Sequence, residues 1–344
     1  MKRFVVVLLS AVSLSLTLAA CGSGTSSSGT GSTAGSASRK SLTPLSVACA
    51  ASPQHLPRQV AVDEGYFTDE GLNVSCTNVT SGPDEDAALF SGQLDVAPFT
   101  AANITPLLAK GQQLVVFGAT WNANYWDIVV RKGYPLPDKS KGWRGVMQDL
   151  AHAKIGVVAL GAAAQYMVEG MFSEAGVNPN SATYIATGLP TTTVAALKAG
   201  TIDAALTFEP GITVAVQDGI ATQPFSLAAG TGPKNMVWSD LLLVSSRSYA
   251  TAHRALLCRF ATAWNKGLAY VRNPKNRSSV VKIAESLMGL PSSIASVLVQ
   301  RDMPYFPSTV FVTANQIEPA FNFLYQYHLA PQDYPFSSYY MKVC

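Results

Sequence analysis

The chain has 344 residues, a formal charge of +3 and 13% charged residues, well under the roughly 25% of an ordinary soluble protein. Its basic residues form no dense cluster, so charge gives no footing for nucleic-acid binding. Beyond the N-terminal segment no apolar run reaches the ~18 residues of a membrane span.

Residues 1–20 have the layout of a signal peptide. Lys2 and Arg3 precede an apolar run, and the segment ends in Leu18-Ala19-Ala20-Cys21. Leu-Ala-Ala-Cys resembles a bacterial lipobox, which implies cleavage before Cys21 and lipidation of its thiol. Residues 22–38 contain only Gly, Ser, Thr and Ala, so residues 21–41 are expected to be a lipidated cysteine and a flexible tether. The expected location is the outer face of a bacterial membrane, periplasmic or on the cell surface. Roughly 300 residues remain, enough for two lobes.

Strands are expected at 45–50, 72–79, 94–97, 114–119, 127–132, 154–160, 177–185 and 241–245, separated by helices. One pattern, A-A-L-x-x-G-x-[LI]-D-[VA]-A, occurs twice, at residues 87–97 and 195–205. In each copy a helix-forming run stops at a glycine (Gly92, Gly200), and an aspartate (Asp95, Asp203) opens a short apolar strand. Two such units predict two α/β lobes with ligand-binding edges at strand carboxyl ends, against the alternative of a chance match. Residues 133–144 read as an exposed excursion. From residue 252 the chain reads as helices (252–272, 278–289, 291–300, 314–328), with Leu256, Phe260, Ala263, Trp264 and Leu268 at core spacing.

The run A-x-x-E-G-Y-F-x-x-E-G-L-x-V at residues 61–74, followed by the first copy of the repeat, resembles the SsuA/THI5-like (NMT1-like) substrate-binding proteins of ABC importers for sulfonates, nitrate, taurine and pyrimidines. The resemblance covers most of residues 45–265 and is only general beyond. It implies an α/β fold of the type II periplasmic-binding-protein kind, each lobe an open, mostly parallel sheet flanked by helices, with the ligand cleft between lobes. The expected division is 42–127 plus 241–344 for lobe 1 and 128–240 for lobe 2. The implied function is a monomeric, lipid-anchored solute receptor that delivers a small organic molecule to a permease and its ATPase. A ligand-sensing receptor for a membrane signalling partner and an enzyme on the same fold are the alternatives.

Candidate ligand residues lie at predicted strand ends and helix starts: Gln54, His55, Ser81, Phe99, Thr100, Ala101, Trp121, Asn122, Tyr125, Gly161, Ala162, Ala163, Gln165, Glu209 and Trp238. Thr100 has a capping role as its alternative, Glu209 likewise, and Tyr66 and Phe67 are expected as core anchors. These segments carry no Arg or Lys, which predicts a neutral or amine-bearing, aromatic-compatible ligand over a small strong anion. No catalytic motif, metal-ligand spacing or cofactor signature is present: the four histidines lie in separate segments, and the His/Cys cluster of the yeast pyrimidine synthase with this fold is missing. With Cys21 lipidated, four cysteines allow three pairings. Cys49 and Cys76 fall on consecutive strands, which favours Cys49–Cys76 and Cys258–Cys344, with free buried thiols as the alternative.

Overall fold

The computed structural model describes residues 41–79 and 82–344; the signal segment, Cys21, the tether up to residue 40 and Ser81 lie outside the described residues. Ten strands occur in chain order: β1 (Thr43–Cys49), β2 (Leu72–Asn78), β3 (Ala97–Phe99), β4 (Leu114–Trp121), β5 (Asp127–Arg131), β6 (Lys154–Val157), β7 (Thr183–Ala186), β8 (Ala204–Thr207), β9 (Ala221–Thr222) and β10 (Asp240–Ser246). A first group comprises the parallel pair β1-β2 and the sheet β3-β10-β4, joined by a parallel bridge between Val47 and Val96. The second group is one sheet in the order β7-β6-β8-β5-β9.

Direction within the sheets follows from how the chain crosses. β6 runs parallel to β7 and β8, as right-handed helical connections require, whereas β5 is antiparallel to β8 and β9 and β10 is antiparallel to β3 and β4. β5 and β10 are the strands by which the chain enters one group directly from the other. Each begins with a buried aspartate, Asp127 at 1% and Asp240 at 3% exposure.

The duplicated pattern has a shared physical role. Asp95 Oδ2 accepts from the Ser46 N–H at 2.7 Å, and Asp203 Oδ2 accepts from the Lys154 N–H at 3.0 Å. Each aspartate's own N–H returns a bond to the same residue's carbonyl, at 2.9 and 2.8 Å. Both aspartates therefore pin the first parallel strand of their unit, each across a separation of 49 residues. Chance similarity does not produce the same clasp at the same separation twice. After Asp95 the regular strand starts at Ala97, three residues later than the pattern suggests, because Asp95 and Val96 spend their N–H groups on Ser46.

Alternation sorts strand residues between separate cores. Leu114 and Val116 join a core that runs through both groups, while Val115 and Phe117 join a second core beneath the C-terminal helices. Val129 does the same for a third, smaller core under the second sheet, with Leu197, Ile202 and Ile212. The Arg254–Arg272 helix buries Leu257, Phe260, Trp264, Leu268 and Val271 against the first group. Phe67 stacks on Phe260 at 5.4 Å, the expected anchoring role, and burial of such a side chain contributes about 1.5–3 kcal/mol. Gly267 permits close approach there: a Cβ would lie 2.0 Å from the Pro57 carbonyl oxygen.

Cys49–Cys76 joins β1 to β2, and Cys258–Cys344 ties the Arg254–Arg272 helix to the chain end. Two other expectations change. Residues 143–149 form a helix whose Trp143 is buried, so the polar excursion ends before it. The last long helix, Ala314–Gln326, does not simply buttress the first group. Its Phe323 packs where a Cβ on Gly170 would come within 2.9 Å, and Tyr327 donates to Glu174 Oε1 at 2.8 Å, both on the Ala163–Glu174 helix of the second group.

Candidate functional site

The helix that follows β3 and the helix that follows β6 start at the same cavity. Thr100 and Ala102 from the first, and Gly161 to Ala164 from the second, line a chamber of about 360 Å³ together with Trp126 and Leu324. A smaller void of about 20 Å³ shares Thr100, Ala102, Trp126, Ala163 and Leu324 with it and reaches Ala101, Trp238 and Asp240. Of the sequence candidates, Thr100, Ala101, Gly161, Ala162, Ala163 and Trp238 are thus brought together.

The two helix starts differ chemically. Thr100 forms a capping box: its Oγ1 accepts from the Asn103 N–H at 3.4 Å, and Asn103 Oδ1 accepts from the Thr100 N–H at 3.2 Å and from the hydroxyl at 2.7 Å. The threonine is spent on its own helix. Ala162 holds the N-cap position of the Ala163–Glu174 helix with extended backbone and no side-chain cap. Its first-turn N–H groups therefore face the chamber without a local side-chain acceptor, which suits a polar ligand atom. Gly161 takes a φ of +68°, and its N–H is held by Gln165 Oε1 at 2.8 Å. Gln165, expected as a ligand contact, instead secures this loop and passes a bond on to Glu169 at 2.7 Å.

A separate void of about 10 Å³, room for about one water, lies among Gln54, Trp121, Tyr125, Asp127, Glu209 and Arg301, with Asp302 and Tyr305 also at its wall. Trp126 lines both this void and the large chamber. Tyr125 and Trp126 are held in place by Phe208, which stacks on Tyr125 at 4.6 Å and meets Trp126 edge-on at 5.2 Å. Glu209 does both things expected of it. It caps the Gly211–Gln217 helix by accepting from the Thr213 N–H and hydroxyl, each at 3.0 Å, and it faces the void.

Burial dominates the charges here. It pushes the Asp127 carboxyl up to about 7 against hydrogen bonds from Ser226 and the Leu227 N–H, and pushes Asp240 up to about 6. Burial also raises Glu209 and carries Asp302 well above the carboxylate range. The cation among them is Arg301, 3.4 Å from Glu209, 3.9 Å from Asp127 and 4.0 Å from Asp302. The expectation of a cleft without a basic side chain is therefore corrected: Arg301 arrives from the Ser292–Asp302 helix, outside every segment that the repeat marks.

The remaining candidates are structural. Phe99 is 1% exposed and packs in the core that runs through both groups. Trp121 is clamped between Tyr305 and Phe306 at 5.7 and 5.0 Å. Asn122 accepts from the Ser239 hydroxyl at 2.9 Å, and Asn124 donates to the Met236 carbonyl at 3.1 Å, so the amides tie the two crossing segments together. His55 is buried, and desolvation with the nearby Arg58 charge lowers its pKa to about 3, which keeps it neutral. Among the described residues no cluster of His, Cys, Asp and Glu is arranged for a metal ion. Sequence reasoning missed Asp127, Arg301, Asp302, Tyr305, Phe323 and Leu324. Four of them lie beyond residue 300, and no local pattern there points back to the cleft.

Comparison with known proteins places the chain. A family profile described as NMT1/THI5 like matches residues 52–277. The periplasmic aliphatic sulphonate binding protein SsuA from Escherichia coli superposes with a TM-score of 0.68 at 18% identity, covering 86% of this chain and 97% of that one. The alkanesulfonate-binding protein SsuA from Xanthomonas axonopodis pv. citri, bound to MOPS, gives 0.66 at 19% identity over 88% and 98%. Among curated proteins, the 4-amino-5-hydroxymethyl-2-methylpyrimidine phosphate synthase of Schizosaccharomyces pombe is 26% identical over 139 residues, 40% of this chain but only 37% of that relative's length.

Proposed function

Because the chain belongs to the NMT1/THI5-like family and has the two-lobed periplasmic-binding-protein fold, we propose that it is the extracytoplasmic solute receptor of an ABC importer. Residues 42–127 plus 241–344 form one lobe and 128–240 the other, and the small-molecule ligand sits between them for delivery to the permease. The supporting observation is the convergence of the two repeat-related helix starts on one chamber of about 360 Å³. A monomer anchored through lipid at Cys21 completes the reading. Palmitate labelling lost in Cys21→Ala checks the anchor, and label retained by that variant would refute it.

The chamber walls are mostly alanine, tryptophan, leucine and backbone N–H, which favours a neutral or amine-bearing organic molecule with an aromatic-compatible body over an inorganic anion. Native mass spectrometry of protein from its own host identifies retained ligand, and solution scattering is expected to show compaction when that ligand is added back. An unchanged radius would sink the hinge reading, and tight calorimetric binding of nitrate or taurine would sink the ligand class. Transport needs no bond chemistry from the protein. A synthase reading draws on the S. pombe relative alone, and it would need an acid–base pair that the neutral, buried His55 does not supply.

A further inference from the structure

The small void beside Trp126 has more acceptors than donors. Asp127, Glu209 and Asp302 are 1%, 4% and 2% exposed, and Arg301 is the cation they share. At 3.4 to 4.0 Å its contacts are loose ion pairs, and none is a hydrogen bond. Asp127 and Glu209 have their oxygens engaged by Ser226, Leu227 and Thr213. Two buried acceptors are left over: Asp302 Oδ2 and, at 1% exposure, Gln54 Oε1 have no hydrogen-bond partner although both residues line the void. An unpaired buried acceptor costs about 1–3 kcal/mol, so the pocket holds unmet demand for N–H donors.

Shape and walls narrow the answer. The free space holds about one water, enough for a compact head group only if the guanidinium gives way. Arg301 is 24% exposed at its side chain while its partners are at most 5%, so it has a solvent edge to retreat to. Tyr125, Trp121 and Tyr305 supply aromatic faces, which favour a delocalised cation. We propose that this pocket binds the amidinium or ammonium head of an organic cation, which takes the place of the Arg301 guanidinium and donates to Asp302 Oδ2 and Gln54 Oε1. Arg301 is then the internal occupant that keeps the acid ring neutralised until ligand arrives. The inference deepens the receptor reading and rests on it, since it assigns the charge of the molecule bound between the lobes.

The test uses benzamidine and its neutral isostere benzamide, titrated calorimetrically into the full-length protein at pH 8. Benzamidine is expected to bind at least tenfold more tightly than benzamide. Asp302→Asn, which removes the charge at an oxygen with no partner to lose, should weaken benzamidine about tenfold. Arg301→Met, which vacates the site, should strengthen it about fivefold; thermal melts establish that both variants are folded. Equal binding of the two probes, or benzamidine affinity unmoved by both substitutions, would overturn the proposal. So would the absence of benzamidine binding to folded Arg301→Met at millimolar concentration. Compaction by host-derived ligand alongside any of these results would leave the receptor reading standing and remove only the cation pocket; benzamidine discrimination without compaction would do the reverse.

Discussion

The two copies of the duplicated unit share a scaffold and differ at the tip. Asp95 and Asp203 make the same clasp to the first parallel strand of their units, at 2.7 and 3.0 Å. The helix that leads into the chamber from the first copy's strand is closed by Thr100 and Asn103, whereas the Ala162 start in the second unit is open. The segments after the duplicated aspartates diverge too: one continues into Phe99 in the core, the other into Glu209 at the acid pocket. Duplication has kept what holds each sheet together and released what faces a ligand. A structural clasp tolerates one geometry, while a binding edge needs only exposed donors and space.

Removing the shared part should have the largest effect. Asp95→Ala and Asp203→Ala are each expected to cost about 2 kcal/mol in chemical denaturation, because a strand N–H loses a charged acceptor. The loss of Asp203 should also show in acid: burial raises its pKa, but Arg131 and the Lys154 N–H more than offset this and hold it below the usual value. Its stabilisation is therefore present above the unfolded carboxylate range and lost as pH falls through the folded value. A loss under half a kcal/mol in either variant would mean that the clasp is incidental.

The divergent part is tested by exchanging caps. Thr100→Ala should cost about 1 kcal/mol of stability while changing affinity for the retained ligand less than threefold. Ala162→Ser, adding an N-cap where the backbone is already extended, should stabilise by up to about 1 kcal/mol and weaken the ligand severalfold, since the serine oxygen competes for the first-turn N–H groups. Undiminished binding in Ala162→Ser would show that those groups do not meet the ligand.

A smaller effect separates the crossing strands from the rest. Asp127 and Asp240 have folded values of about 7 and 6, above an unfolded value of about 3.9. Both carboxyls are protonated more readily in the folded chain, so their contribution is complete below about pH 4 and is lost as pH rises toward 7. Asp127→Asn should flatten that part of the stability profile, measured by thermal melts from pH 4 to 8. An unaltered slope would place the titration elsewhere.

Much of the architecture was legible locally. Strand periodicity, the glycine stops at Gly92 and Gly200 and the paired aspartates located most elements to within a few residues, because those signals are set by neighbours in sequence. The pairings Cys49–Cys76 and Cys258–Cys344 followed from consecutive strands and a remaining pair. The helix starts at Thr100 and Gly161–Ala163 were legible as a chamber edge for the same reason. What stayed hidden was set by distant packing. Nothing around Arg301 announces that the Ser292–Asp302 helix ends between Asp127 and Glu209, or that Phe323 and Leu324 would fill space beside Trp126. Phe99, Gln165 and Asn122 look like cleft residues by position, but the core, the Gly161 loop and the crossing segments claim them first.

Both disulfides fall on the same side of the molecule. Cys49–Cys76 closes 27 residues within the β1-β2 pair, and Cys258–Cys344 closes 86 around the helices packed on the first group. By loop-closure entropy each contributes about 3–5 kcal/mol. A folding environment rich in thiols would therefore tax the two halves unequally: the β1–β4 side would loosen while the β5–β9 sheet kept its own clasp. Protein made in a reducing cytosol should thus show a protease-sensitive first half, and a preparation's redox history becomes a variable in any affinity measured with it.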